Sequence, residues 1–193
     1  MAAPRFAHPI PESRRRNRGG LNQRFLRRKI MLLKGSCHCK AARFTVESRT
    51  PYPYMHCYCS ICRKTAGGGG YAINILGEAD TLKVTGRKNL SVYRARIEDE
   101  KGRKILSSAR RYFCRKCGSA LWLADPRWKQ WVYPFASAID TPLPVPPWHE
   151  YVMLNYKAPW AEVPKRKRDR YFREFPREAI INWHKRHGLY ERE

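Results

Sequence analysis

Acid is scarce in this chain of 193 residues: 16 Asp and Glu stand against 40 Lys and Arg, a formal net charge of +24. Polyanions and acidic small molecules are therefore its natural electrostatic partners, although net charge alone does not choose between RNA, DNA, an anionic membrane and a small acid. Long apolar runs are missing too. No stretch approaches the roughly 18 consecutive apolar residues that a membrane-spanning helix needs, so no span is expected. Cysteine is absent from both ends of the chain, its seven copies all falling between Cys37 and Cys117. An odd, clustered set is not the even, scattered pattern of a secreted disulfide framework; it points to metal ligands in a reducing compartment, and the expected location is cytoplasmic.

What is present suffices for one core. Hydrophobic residues make up 42% and aromatics 12%, and the length fits a single domain with appendages. Residues 1–30 carry nine basic residues and one acidic, without the apolar stretch of a secretory signal. That composition fits a disordered extension or a transit peptide. Met31 stands directly before the first cysteine motif, so 1–30 reads as a dispensable extension or the product of an upstream start. The expected layout is a basic extension at 1–30, a β domain at 31–164, and a basic tail at 165–193 with a helix at about 176–187.

Short segments rich in β-branched and aromatic residues recur at 43–46, 71–76, 82–85, 90–95, 105–113, 120–123, 131–136 and 151–154. Turn formers such as Gly77, Gly86, Gly102 and Asp125-Pro126 bound them. With no long amphipathic helix between them, the reading is a mainly β fold of antiparallel sheets. The proline-rich stretch 141–148 cannot sit in a central strand, since proline lacks the amide donor, and is a loop. Helix is expected only near the end, where Ala179, Ile180 and Trp183 share a face, Gly188 caps, and Trp183 docks the helix on the sheet. The charge run at 165–170 reads as a solvated connection. Trp122, Trp128, Trp131, Trp148 and Trp160 read as core or pocket wall rather than base-stacking platforms.

Three clusters carry the chemistry: Cys37-His38-Cys39, Cys57-Tyr58-Cys59-Ser60-Ile61-Cys62 and Cys114-Arg115-Lys116-Cys117-Gly118. Two cysteines separated by two residues wrap a turn that aims both sulfurs at one ion, and Gly118 permits the bend. Two pairs together make a closed four-thiolate set, which leaves the trio with a vacancy. Closed sites are structural and open ones reactive. The expectation is two zinc ions per chain. A structural zinc is held by Cys37, Cys39, Cys114 and Cys117. A second, catalytic zinc is held by Cys57, Cys59 and Cys62, its fourth position open to water, a substrate thiol or His56. Three thiolates blunt zinc as an activator of carbonyls and favour a soft sulfur guest, which metal binding keeps as thiolate. The run Gly67-Gly68-Gly69-Gly70 lacks the lysine and hydroxyl of a phosphate loop and reads as a turn that lets backbone approach the open zinc.

The stretches Gly35-Ser36-Cys37-His38-Cys39, His56 to Lys64 with Gly67 following, and Tyr112 to Leu121 resemble the glutathione-dependent formaldehyde-activating, or centromere-protein-V-like, family. A closing segment at 149–163 with Lys157-Ala158-Pro159-Trp160 adds to the match, which covers roughly 33–163. The resemblance implies antiparallel sheets of the Mss4-like type and the same division of ligands. It also implies a carbon–sulfur lyase activity, the condensation of glutathione with formaldehyde to S-hydroxymethylglutathione. Lys40 stands where the family usually has glycine, and the polar stretch 97–104 looks like an insertion.

Two other functions compete with an enzyme acting on a small thiol and an aldehyde. One is a non-catalytic zinc module that binds nucleic acid or chromatin through basic tails, and the other a metal or redox sensor using the open thiolates.

Overall fold

The computed structural model describes residues 30–49 and 51–189; apart from Ile30, the expected extension at 1–30 lies outside the described residues. In chain order the first strands are β1 Met31–Ser36, β2 Arg43–Ser48 and β3 Tyr54–Cys57. Helix α1 Ser60–Ala66 follows, then β4 Ala72–Asn74, β5 Gly77–Glu78, β6 Lys83–Thr85 and β7 Leu90–Tyr93. The rest are β8 Arg96–Glu98, β9 Lys104–Leu106, β10 Arg110–Cys114, β11 Ala120–Ala124, β12 Trp131–Pro134, β13 His149–Val152, β14 Arg170–Tyr171 and helix α2 Ile180–Arg186. No helix among them is long and apolar enough to cross a membrane.

The mainly β, mainly antiparallel expectation holds. One antiparallel sheet has the order β1-β2-β6 and a second the order β5-β12-β11-β10-β7. A third, β14-β13-β3-β4, is mixed: β13 runs parallel to both β3 and β14. The strand expected at 105–113 is broken. Ser107 turns the chain by accepting the Ala109 amide on its hydroxyl, so β9 pairs with β8 in a separate hairpin while β10 joins the five-stranded sheet. The polar stretch suspected of being an insertion thus forms that hairpin. The stretch 141–148 forms no strand.

Alternation along β2 shows why the sheets pack. Phe44 and Val46 are buried while Arg43 is exposed, the period of two that a half-buried strand requires. They meet Leu33, Leu121, Trp122 and Val132 in the largest core cluster, where each fully buried side chain of this size contributes roughly 1.5–3 kcal/mol. Neighbouring residues of the central sheet look the other way. Ala120 and Leu123 pack instead on a second cluster containing Cys57, Cys62, Phe135 and Val152. A bulge makes this split possible: Tyr112 pairs with Trp122 but Phe113 pairs with Ala120, which leaves Leu121 as the extra residue and turns it, with Trp122, toward the first cluster.

The C-terminal helix is present at Ile180–Arg186, with Gly188 at φ 65 closing it. Trp183 is buried against Trp148. Residues read as a basic tail therefore add β14 to the mixed sheet and α2 to its flank. The reading of the tryptophans fails at Trp160, which is 63% exposed and lies over Gly70 at the surface.

His184 ties α2 down through Nε2, 2.8 Å from the Tyr52 carbonyl, and its buried Nδ1 has no partner. Burial lowers its pKa from the ordinary imidazole value, because charging the ring would leave a second N–H orphaned. The undocked chain takes up a proton near about pH 6.5 that the docked helix refuses. Docking is thus fully favoured above that value and is lost as the pH falls below it. Tryptophan emission followed from pH 8 to 4.5 should report release of Trp183 in the acid range; emission that stays constant would count against this.

Lys40, in the β1–β2 turn, is held at φ 59. A side chain in this left-handed region costs roughly 1–2 kcal/mol. Its Nζ donates to Ser36 Oγ at 2.8 Å and pairs with Asp140 at 3.4 Å, but with both charged partners half exposed these contacts return only part of that. Lys40→Gly is expected to raise unfolding stability by about 0.5–1 kcal/mol, seen as a higher denaturant midpoint at unchanged slope.

Candidate metal centres

Two turns build the first centre. Leaving β1, the chain folds so that Cys37 N–H reaches Ala42 O at 3.0 Å and Lys40 N–H reaches Cys37 O at 2.9 Å. Between β10 and β11, Gly118 N–H bonds Cys114 O at 2.8 Å, with Gly118 at φ 73, a conformation that suits glycine. The turns are fastened together by His38 N–H donating to Ser119 Oγ at 3.1 Å. This brings the sulfurs of Cys37, Cys39, Cys114 and Cys117 within 4.8 Å of one another. Cys37 and Cys39 lie 3.6 Å apart, and Cys39 and Cys114 3.8 Å. Tetrahedral zinc with sulfur bonds of about 2.3 Å places sulfurs about 3.8 Å apart, so the donor set fits that ion.

Negative charge within this set is favoured on Cys117, whereas Cys39, despite the Ala41 amide that would lower it, is pushed up to about 11 by its hydrogen bond with the Cys117 thiol and by desolvation. Cys117 is pulled down to about 5 by the Ser119 hydroxyl first and then by backbone amides. Ala42 N–H points at Cys37 Sγ from 3.3 Å.

The second centre stands where β3 gives way to α1. Cys57 is the last residue of β3, Cys59 caps the helix, and Cys62 lies in its first turn, its amide donating to Cys59 Sγ at 3.4 Å. Their three sulfurs also lie within 4.8 Å of one another. This helix is a correction to the expectation of helix only near the end. Seven residues are too few to show an amphipathic period, and the cap is a cysteine, a residue outside the usual capping set. Negative charge within the trio is favoured on Cys59. Hydrogen bonds from the thiols of Cys57 and Cys62, then amides of Cys62 and Ile61, pull it down to about 2 against the opposing effect of burial. Cys57 moves the other way, its proton held by Cys59.

The trio is walled by apolar groups: Ala72, Phe135, Val152 and Met153, with Met55, Phe172 and Phe175 partly buried beside them. Met55, Phe172 and Phe175 also line a groove of about 530 Å³ whose other side carries Glu150, Arg170 and Trp183. Sequence gave no hint of this wall, since Phe172 and Phe175 belong to the stretch read as a tail.

His56 does not join the trio. Alternation along β3 sends Met55 and Cys57 to one face and His56 to the other, where its Nε2 lies 2.9 Å from His149 Nδ1 and its ring meets Tyr71 and Tyr151. The glycine turn has a packing role of its own. A side chain at Gly67 would strike the Tyr71 carbonyl and one at Gly70 the Ala161 methyl. All seven cysteines are free thiols.

The family model described as glutathione-dependent formaldehyde-activating enzyme matches residues 32–152. A protein of Halomonas elongata that carries the provisional name glutathione-dependent formaldehyde-activating enzyme is 55% identical over 161 residues, 83% of this chain and 99% of that protein. A crystal structure of a Rhodobacter sphaeroides protein is 26% identical and aligns with a TM-score of 0.43 over 57% of this chain and 91% of that one.

Proposed function

The chain belongs to the glutathione-dependent formaldehyde-activating enzyme family, and on that premise we propose that it is a zinc-dependent carbon–sulfur lyase acting on the adduct of a glutathione-like thiol and formaldehyde. Two zinc ions serve it, one closed and structural at Cys37, Cys39, Cys114 and Cys117, one open at Cys57, Cys59 and Cys62. The observation that carries the reading is the difference between the two sulfur sets: four donors converge in the first and three in the second. When bound at the trio, zinc supplies a fourth position at which a substrate sulfur is kept as thiolate at neutral pH.

The rest is done by the protein's own groups. Cys59, capping α1, accepts the Cys62 amide, which fixes its sulfur in place and favours its charge. Phe135, Val152 and Met153 exclude water from one side of the trio, strengthening electrostatic interactions there. The groove sharing Met55, Phe172 and Phe175 is wide enough for the body of a small peptide thiol, and with Arg170, Arg173 and Arg177 beside Glu150, Glu174 and Glu178 it offers charges of both signs to the carboxylates and the ammonium of such a guest. With His56 turned to the far face of β3, no described histidine stands ready to close the fourth position. Free thiols throughout fit a reducing, cytoplasmic setting.

The test is exchange of isotope-labelled formaldehyde with its glutathione adduct, followed by NMR with and without zinc-loaded protein. An exchange rate that rises in proportion to enzyme supports the lyase; an unchanged rate with glutathione and with other small thiols would remove it.

A further inference from the structure

Among the described residues, Arg111 is the buried basic side chain, and it has no ion-pair partner there. Arg111 is 8% exposed, and its Nε and Nη1 are buried without a hydrogen-bond partner. A guanidinium taken out of water is costly unless a negative group meets it. Asp125, buried at the end of the same sheet, is by contrast held by Arg127 at 2.6 Å.

Position in the sheet says what Arg111 faces. It pairs with Leu123 across β10 and β11, and directly opposed residues share a face. Leu123 packs on the cluster containing Cys57 and Cys62. The flanking Tyr112 packs on the other cluster, with Trp122. Arg111 thus shares the face of the five-stranded sheet that looks toward the trio.

Three thiolates around a divalent ion carry one net negative charge, and a thiolate guest adds a second. That charge would be buried among Phe135, Val152 and Met153. We infer that Arg111 is the counter-charge of the Cys57–Cys59–Cys62 metal centre, a positioning residue that lets three thiolates and a bound metal persist in an apolar wall. The inference rests on the proposal that the trio holds a metal. A unit counter-charge about 6–12 Å away, at an effective dielectric of about 20, changes affinity by roughly tenfold to a hundredfold.

Stepwise withdrawal of zinc from the loaded full-length protein by a chromophoric chelator tests it. Wild type should lose zinc in two steps, the weaker belonging to the trio. Arg111→Met and Arg111→Gln should shift the weaker step by roughly ten- to a hundredfold toward lower chelator while the tighter step stays in place and certifies the fold. Arg111→Lys, which keeps the charge, should remain within about threefold of wild type. The inference is overturned if the neutral variants release zinc as wild type does, if lysine fails as badly as methionine, or if both steps move together. Should methionine abolish the tighter step by unfolding the protein, the comparison of glutamine with lysine decides. A single step in wild type would instead refute metal binding at the trio itself, a distinguishable result.

Discussion

Cys114→Ser is expected to leave a chain that does not hold its fold at room temperature. Cys114 is fully buried in the main core cluster and closes β10 against the turn carrying Cys37 and Cys39, far away in sequence. Structural zinc sites contribute about 10–16 kcal/mol in zinc-finger peptides, whereas whole domains are stable by only about 5–15 kcal/mol. Weakening one of four ligands therefore spends most of the margin. Soluble yield should collapse, far-UV circular dichroism should lose its β signature, and zinc content should fall below that of wild type. Chelation of both ions should reproduce this in the unmodified protein. A variant that melts within a few degrees of wild type would show that the four-cysteine cluster does not hold the structure together.

Cys59→Ser should do the opposite, sparing the fold and destroying turnover. Serine is a preferred residue at the start of a helix, so its hydroxyl can take over the Cys62 amide that Cys59 Sγ now accepts. Stability should change by less than about 1 kcal/mol. A hydroxyl, however, is a poor substitute for a thiolate as a soft ligand, and the variant should retain one zinc. Loss of a metal's contribution to the reacting centre costs several kcal/mol, so activity should fall on the order of a thousandfold. Should the variant keep two zinc ions and most of its rate, the trio is not the reacting centre.

The two cysteine groups were legible because sulfurs that could share one ion are written in short, dense motifs whose spacing reflects the turn that makes them. The structure groups them as that spacing implies. Strand segments such as Ala120–Ala124 and His149–Val152 were visible from their β-branched and aromatic residues, with bounds shifted by a residue or two. Strand β3 was not: flanked by Pro51 and Pro53, its four residues look like a turn, and their strand character comes from pairing with β13 and β4. Helix α1 escaped for want of length. The departure at Lys40 was legible as a mismatch, and its cause appears only in the backbone, where the residue occupies a region that glycine enters freely. The apolar wall of the trio was hidden because it is assembled from residues more than a hundred positions apart. Arg111 could not have been singled out among 40 basic residues; what marks it is burial, a property of the pairing of β10 with β11.

Strand β10 touches both halves of the chemistry. Its last residue, Cys114, belongs to the proposed closed set, and three positions earlier Arg111 stands on the face turned toward the proposed open one. A chain still lacking the closing ion holds that strand only through its pairing with β7 and β11, without the tie to the β1–β2 turn, so the open pocket has a looser rear support. Maturation should consequently run in a fixed order, with the reactive centre acquiring its ion only after the sealed one has been filled, and starvation for metal should empty them in reverse.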